Sequence, residues 1–314
     1  MTDPLFVVNP KLTCPACNGG RRARKGCDAC GRTGFVPCAL GGLWAPSPAF
    51  LVCGGPSLHR FRYERLNDRG ILSLGVNNVA GMVRCAAWVF GDPQTKFHYG
   101  AHMDGKCLTF APTGKLRKLI RYKAPDGTFW TLDKQVCDCP GVVGISRTGK
   151  FDAATFLTDT TAHWGHGGGS GTGRPFTLLD TMLLGLRLLH YLGCPRVYML
   201  GVDFDMPKGG GQYAFGQSKS ARNRRYGKAN RLLSELVPVF AAAGFEVFNC
   251  NKESKCKVFP YRSFDAALTD CRGLVPEREP WDLSEWYCKG IENEARELRP
   301  DPITVAEALA MQEG

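Results

Sequence analysis

The sequence predicts an α/β protein: a mostly parallel sheet with helices on both faces, a small zinc-binding module ahead of it and a short helical tail behind. Three observations lead there. Short, continuous apolar runs recur through the middle of the chain, each closing on glycine or asparagine, or on a turn. Two longer stretches between them carry apolar residues at helical spacing. Four cysteines form two CxxC pairs before the first run. Continuous runs suit strands buried on both faces, and strands alternating with helices suit a parallel sheet.

Ala49-Phe50-Leu51-Val52-Cys53 reads as the first buried strand, breaking at Gly54-Gly55-Pro56-Ser57-Leu58 into a turn at a helix start. Ile71-Leu72-Ser73-Leu74-Gly75-Val76 and Ala86-Ala87-Trp88-Val89-Phe90 follow as strands, with Val142-Val143-Gly144-Ile145 a fourth. Residues 176–192 read as a helix that Gly193 closes, since glycine adopts the left-handed conformation of a helix end without strain. Arg196-Val197-Tyr198-Met199-Leu200-Gly201 is the next strand. The pattern then repeats as a helix over 229–243, a stop at Gly244 and the strand Phe245-Glu246-Val247-Phe248-Asn249. The expected division is a zinc module over 1–45, the α/β domain over 46–274 and a tail over 275–314, anchored by Trp281, Trp286 and Tyr287.

At 314 residues, 44% hydrophobic and 22% charged, the chain can bury a large core. No run approaches the ~20 apolar residues of a membrane span, and the first nine residues lack the order of a signal peptide. The expectation is a cytoplasmic protein with no membrane partner. Fifteen cysteines, an odd count with many isolated in apolar runs, fit a reducing compartment better than a disulfide framework.

The net charge of +11 is unevenly spread. Residues 275–314 hold ten acids and four bases, so residues 1–274 carry +17. Three stretches concentrate bases: Arg21, Arg22, Arg24, Lys25 and Arg32; Lys115, Arg117, Lys118, Arg121 and Lys123; and Lys219, Arg222, Arg224, Arg225, Lys228 and Arg231. Such clusters suit a polyanion, nucleic acid first, or form solvated helix faces.

Cys14-Pro15-Ala16-Cys17 and Cys27-Asp28-Ala29-Cys30 are knuckles nine residues apart, each followed by glycine. Four thiolates at this spacing suit one tetrahedral zinc, and a fully thiolate site is structural because no coordination position stays open. The pattern resembles the CxxCxGxG knuckles of DnaJ-type cysteine-rich domains over about 20 residues.

Gly54, Gly55, Pro56 and Ser57 stand at a strand end, where an α/β sheet binds ligands and a helix start offers amides to phosphate. The next strand ends in Asn77-Asn78, whose amides suit a ribose or phosphate. Taken with Leu192-Gly193, with Tyr198-Met199-Leu200-Gly201-Val202-Asp203-Phe204 and with Tyr213-Ala214-Phe215, these pieces resemble, over about residues 49–262, the sialyltransferase-like superfamily. That group comprises the bacterial family-42 sialyltransferases and the MptE-like proteins. The resemblance implies a Rossmann-like domain, a nucleotide-linked donor at residues 54–57 and Asn77, and transfer of a sugar or diphosphate from it. It also implies that the glycine-rich loop at 165–173, with Gly171, Thr172 and Gly173, closes on the donor. The histidine that family sialyltransferases carry after the YAF segment is missing from 217–226.

A base must therefore come from elsewhere. Asp203, Asp205, His98, His102, His163 and His166 are the candidates, Asp205 and His166 the preferred pair. Asp203-Phe204-Asp205 also spells D-x-D, the form that holds a divalent cation in metal-dependent glycosyltransferases, and Asp203 alternatively caps its loop. Joined to the basic zinc module, a donor-dependent core suggests a glycosyltransferase that adds a sugar to a hydroxymethylated pyrimidine of DNA, as viruses of bacteria do within the host cytoplasm. Diphosphate transfer, glycan or protein glycosylation, and a non-catalytic zinc-containing nucleic-acid-binding protein are the alternatives.

Overall fold

In the computed structural model the described residues are 12–13, 26–28, 35–36, 40–68, 70–104, 107–123, 128–139, 141–145, 151–158, 179–205, 211–213, 216–218 and 224–272. Strands β1 (Leu12–Thr13) and β2 (Phe35–Val36) form a small antiparallel ribbon. The main strands are β3 (Ala49–Val52), β4 (Leu72–Val76), β5 (Ala87–Val89) and β6 (Leu108–Pro112). A hairpin, β7 (Leu119–Lys123) with β8 (Phe129–Gln135), is inserted before β9 (Val142–Ile145). Then come β10 (Arg196–Leu200), the short pair β11 (Gly211–Tyr213) and β12 (Gly216–Ser218), and β13 (Glu246–Asn249).

Seven of these build one parallel sheet in the order β13-β10-β3-β4-β5-β6-β9. The fold is thus α/β and Rossmann-like. The chain steps outward from β3 to β9, crosses back to β10 beside β3, and steps outward the other way to β13. Direction reverses between β3 and β10. All six strands read from the sequence are present; β6 was missed because Thr109 interrupts its apolar run and Pro112 closes it.

Alternation assigns the two faces. Leu51, Leu74, Val89, Val197, Met199 and Val247 point to one side, while Phe50, Val52, Tyr198 and Leu200 point to the other. Four helices are described: α1 (Tyr99–Met103), α2 (Leu179–Tyr191), α3 (Arg224–Ala242) and α4 (Phe264–Cys271). The first face takes α2 and α3, whose Leu183, Leu186, Leu233 and Leu236 are fully buried. At roughly 1.5–3 kcal/mol for each such side chain, this layer dominates the stability of the domain. Helix α2 lies so close that a β-carbon on Gly185 would run into Leu51. The opposite face is covered by α4, by short 3-10 turns and by the hairpin, where Ile120, Tyr122 and Leu132 join Trp88, Phe90 and Phe97.

Both helix stops read from the sequence are present. Gly193 has φ +91° and Gly244 φ +65°, and Cys194 and Phe245 donate their N–H back to Leu189 and Phe240. The segment over 40–47 seats on the end of α2, with Gly42 and Trp44 donating to the carbonyls of Tyr191 and Leu192. The N-terminal ribbon lies against edge strand β9 through β1. None of the described helices is long and apolar enough to cross a membrane.

Candidate functional site

Where chain direction reverses in such a sheet, the loops leaving the two neighbouring strands diverge and open a crevice at their carboxyl ends. Here those loops are Cys53-Gly54-Gly55-Pro56-Ser57 after β3 and Gly201-Val202-Asp203-Phe204-Asp205 after β10. Rather than diverging, they cross at contact distance. Cys53 donates its N–H to Leu200 at 2.8 Å and Gly55 to Gly201 at 2.9 Å. A β-carbon on Gly55 would collide with the Gly201 carbonyl and the Asp203 carboxylate, and one on Gly201 (φ +65°) with the Cys53 carbonyl. Only glycine fits either place.

Asp203 ties the crossing together. Its buried carboxylate accepts the Ser57 N–H at 2.8 Å, the Ser57 hydroxyl, and the Asn251 side-chain amide at 2.8 Å. The loop after β13 wraps the same strand end. Asn249 and Ser254 donate to the Val202 carbonyl at 3.2 and 2.6 Å, and Lys255 donates its N–H to the Asp203 carbonyl at 2.8 Å. The donors at the start of the 3-10 turn Pro56–Arg60, which the sequence suggested for a phosphate, thus already meet an internal anion. Of the D-x-D pair, Asp203 is committed to this latch and Asp205 is exposed at the rim. Among the described residues no group of three or more His, Cys, Asp or Glu side chains is gathered to hold a metal.

Two non-glycine residues with positive φ occur among the described residues, Asn77 at +50° and Phe204 at +53°. One ends β4 and the other follows β10, so they flank the 54–57 turn on either side. Left-handed backbone at a phenylalanine costs on the order of 1–3 kcal/mol and collects at functional sites. The Phe204 ring stacks on Tyr226 of α3, centroids 5.0 Å apart and planes at 13°.

Asn77 reaches across to the end of β5. Its Oδ1 accepts the N–H of Gly91 at 2.6 Å and of Asp92 at 3.3 Å, and its carbonyl accepts the Trp88 indole N–H at 2.8 Å. Lys115, just beyond β6, donates from Nζ to the carbonyl of Gly91 at 2.7 Å and to that of Asp92. The turn Gly91-Asp92 is therefore clasped through both its N–H and its C=O groups. Asn78 is half-buried. Lys115, proposed from sequence as a phosphate contact, spends its charge on this turn, whereas its neighbours Arg117 and Lys118 are exposed.

Two candidate histidines belong to the core. His98 caps α1 by accepting the Gly100 N–H at 3.0 Å, and burial pushes its pKa down to about 4. His102 is fully buried among Trp88, Phe90 and Phe97, its pKa pushed down to about 3 by burial, with Lys115 and His98 adding to the effect. Both rings are neutral and enclosed.

Sequence reasoning missed Asn251, Ser254 and Asp92, whose importance is purely one of placement. It also missed the buried pair Arg84 and Asp104, joined by two hydrogen bonds of 2.9 Å against a small pocket lined by Gly75, Cys85, Trp88 and Cys107. Other candidates lie outside the described residues: Cys14, Cys17 and Cys30; Arg21, Arg22, Arg24 and Lys25; His163 and His166; Gly171, Thr172 and Gly173; and Arg222. Of the four cysteines expected from sequence to hold zinc, Cys27 is described, and it is buried. Arg224 and Arg225 open α3.

No family model matches the chain, and no curated protein matches it. Among solved structures it is similar to the MAf glycosyltransferase from Magnetospirillum magneticum AMB-1, at 13% identity and a TM-score of 0.36. The match takes in 84% of this chain and 36% of that one, so the chain spans about a third of the length of that glycosyltransferase.

Proposed function

We propose that this protein is a glycosyltransferase that moves a sugar from a nucleotide donor to the hydroxyl of a hydroxymethylated pyrimidine in DNA. The observation that carries the reading is the junction of β3 and β10, where the order of the strands reverses. There a glycine-built crossing, an internal carboxylate latch and the strained backbone of Phe204 converge at the carboxyl edge of a parallel sheet, the position that binds nucleotides in open α/β folds. In this reading the donor lies along the strand ends beside the 54–57 turn and Asn77, whose own polar groups shape the edge rather than bind it, under the loop at 165–173. The acceptor oxygen forms a bond to the sugar carbon as the bond from that carbon to the donor phosphate breaks. The nucleotide departs with the electron pair, and Asp205 takes the acceptor proton.

DNA enters through charge. Exposed Arg117 and Lys118, the basic stretches at 21–32 and 219–231, and a zinc held by Cys14, Cys17, Cys27 and Cys30 form the acceptor side of the proposal. An unmodified base offers no alcohol, so the hydroxymethyl group selects the target, and that base leaves the stack to reach the strand ends.

The test is mass spectrometry of nucleosides after incubating the protein with hydroxymethylated DNA and a panel of nucleotide sugars. One donor should raise the modified nucleoside by the mass of its sugar, and Asp205→Asn should slow that reaction by ~100-fold or more. Unchanged nucleosides with every donor would overturn the acceptor assignment.

A further inference from the structure

The Gly91-Asp92 turn at the end of β5 is held more tightly than a connecting turn requires. Asn77 binds its two N–H groups, Lys115 binds its two carbonyls, and the Trp88 indole fixes the Asn77 backbone in turn. What this rigidity presents is the side chain of Asp92. That side chain is 28% exposed, and its Oδ2 lies 3.5 Å from the Lys96 ammonium, which sets the direction of the carboxylate. Its Oδ1 makes no hydrogen bond among the described residues.

Strand β5 is two places from β3 in the sheet. At about 4.8 Å per strand, Asp92 stands roughly 10 Å along the carboxyl edge from the 54–57 turn. A nucleoside diphosphate bridges such a separation from its phosphates to its sugar. An ionised carboxylate only accepts hydrogen bonds, and each of the adjacent hydroxyls of a ribose has an O–H donor to offer it. Resting on the nucleotide-donor reading above, we propose that Asp92 recognises the ribose hydroxyls of the donor, so that the site takes ribonucleotides in preference to 2′-deoxyribonucleotides. Asn77 and Lys115 are positioning residues for it.

Titration calorimetry tests this with UDP, GDP, CDP and ADP against their 2′-deoxy counterparts. The nucleoside diphosphate that binds should do so about tenfold or more tightly in its ribo form, the worth of a hydrogen bond to a charged acceptor. Asp92→Ala should bring the ribo and deoxy forms to equal affinity while still binding both, which also reports that the variant is folded. Asp92→Asn, which keeps size and loses charge, should fall between. Equal binding of ribo and deoxy forms by the parent, or a ratio that survives in Asp92→Ala, overturns the assignment while leaving the donor site standing. A parent that binds no diphosphate in either form overturns the donor reading and this inference together.

Discussion

Replacing Asp203 with alanine should destabilise the protein more than any other single change where the loops after β3 and β10 cross. The carboxylate is 9% exposed and accepts three hydrogen bonds, from the Ser57 N–H, the Ser57 hydroxyl and the Asn251 amide. Removing it strands those donors between β3, β10 and the loop after β13. Each unsatisfied buried donor costs about 1–3 kcal/mol, and partial relaxation toward water brings the expected total to about 3–4 kcal/mol. That is a large part of the roughly 5–15 kcal/mol by which domains are stable. Asp203→Asn should be nearly as harmful, because its NH2 group would face a donor. Ser57→Ala removes one bond and should cost about 1 kcal/mol. The Asp203→Ala, Ser57→Ala double variant should cost less than the sum of the single ones by about 1 kcal/mol, since both act on one interaction. Urea titration followed by fluorescence of the buried Trp44 and Trp88 measures each difference. An Asp203→Ala variant within about 0.5 kcal/mol of the parent at the same slope, or strictly additive single changes, would refute the latch and return Asp203 to catalysis.

Stability should fall with acid before most carboxylates titrate. Burial holds His98 and His102 neutral, with folded pKa values of about 4 and about 3 below the ordinary 6.5, so the unfolded chain takes up protons first. Their contribution is whole above pH 6.5 and lost as pH drops through about 4 and about 3, with about 4 kcal/mol of it lost between pH 7 and 5; His102→Phe should halve that dependence in urea titrations at the two pH values. Elemental analysis should find one zinc per chain, and Cys27→Ser should lower both the zinc content and the protease resistance of the N-terminal segment. For DNA binding, Arg117→Ala with Lys118→Ala should reduce the salt slope by about 2, while Lys115→Met should leave the slope alone and lower the melting temperature, because its ammonium serves the Gly91-Asp92 turn. A slope lowered equally by Lys115→Met would make that residue a phosphate contact.

Much of the fold is legible in the chain because it is encoded locally. Apolar runs such as Ala49-Phe50-Leu51-Val52 are buried on both faces whatever their neighbours, and Gly193 and Gly244 end helices through a backbone conformation that glycine alone adopts cheaply. The strand-end position of residues 54–57 and 201–205 follows from the same local signals. Which strand ends meet does not. The order β13-β10-β3-β4-β5-β6-β9 joins Ser57 to Asp203 across 146 residues and Asn77 to Asp92 across 15, and those pairings divide similar residues into different roles. Asp203 and Asp205 are two positions apart in one loop, yet the first is a buried latch and the second an exposed rim carboxylate. Lys115 and Arg117 sit in one basic stretch, yet the first clasps a turn and the second faces solvent. Composition and spacing determine what a side chain is able to do; only the tertiary structure decides which partner reaches it first, because a hydrogen bond to the protein removes a group from the set available to a ligand.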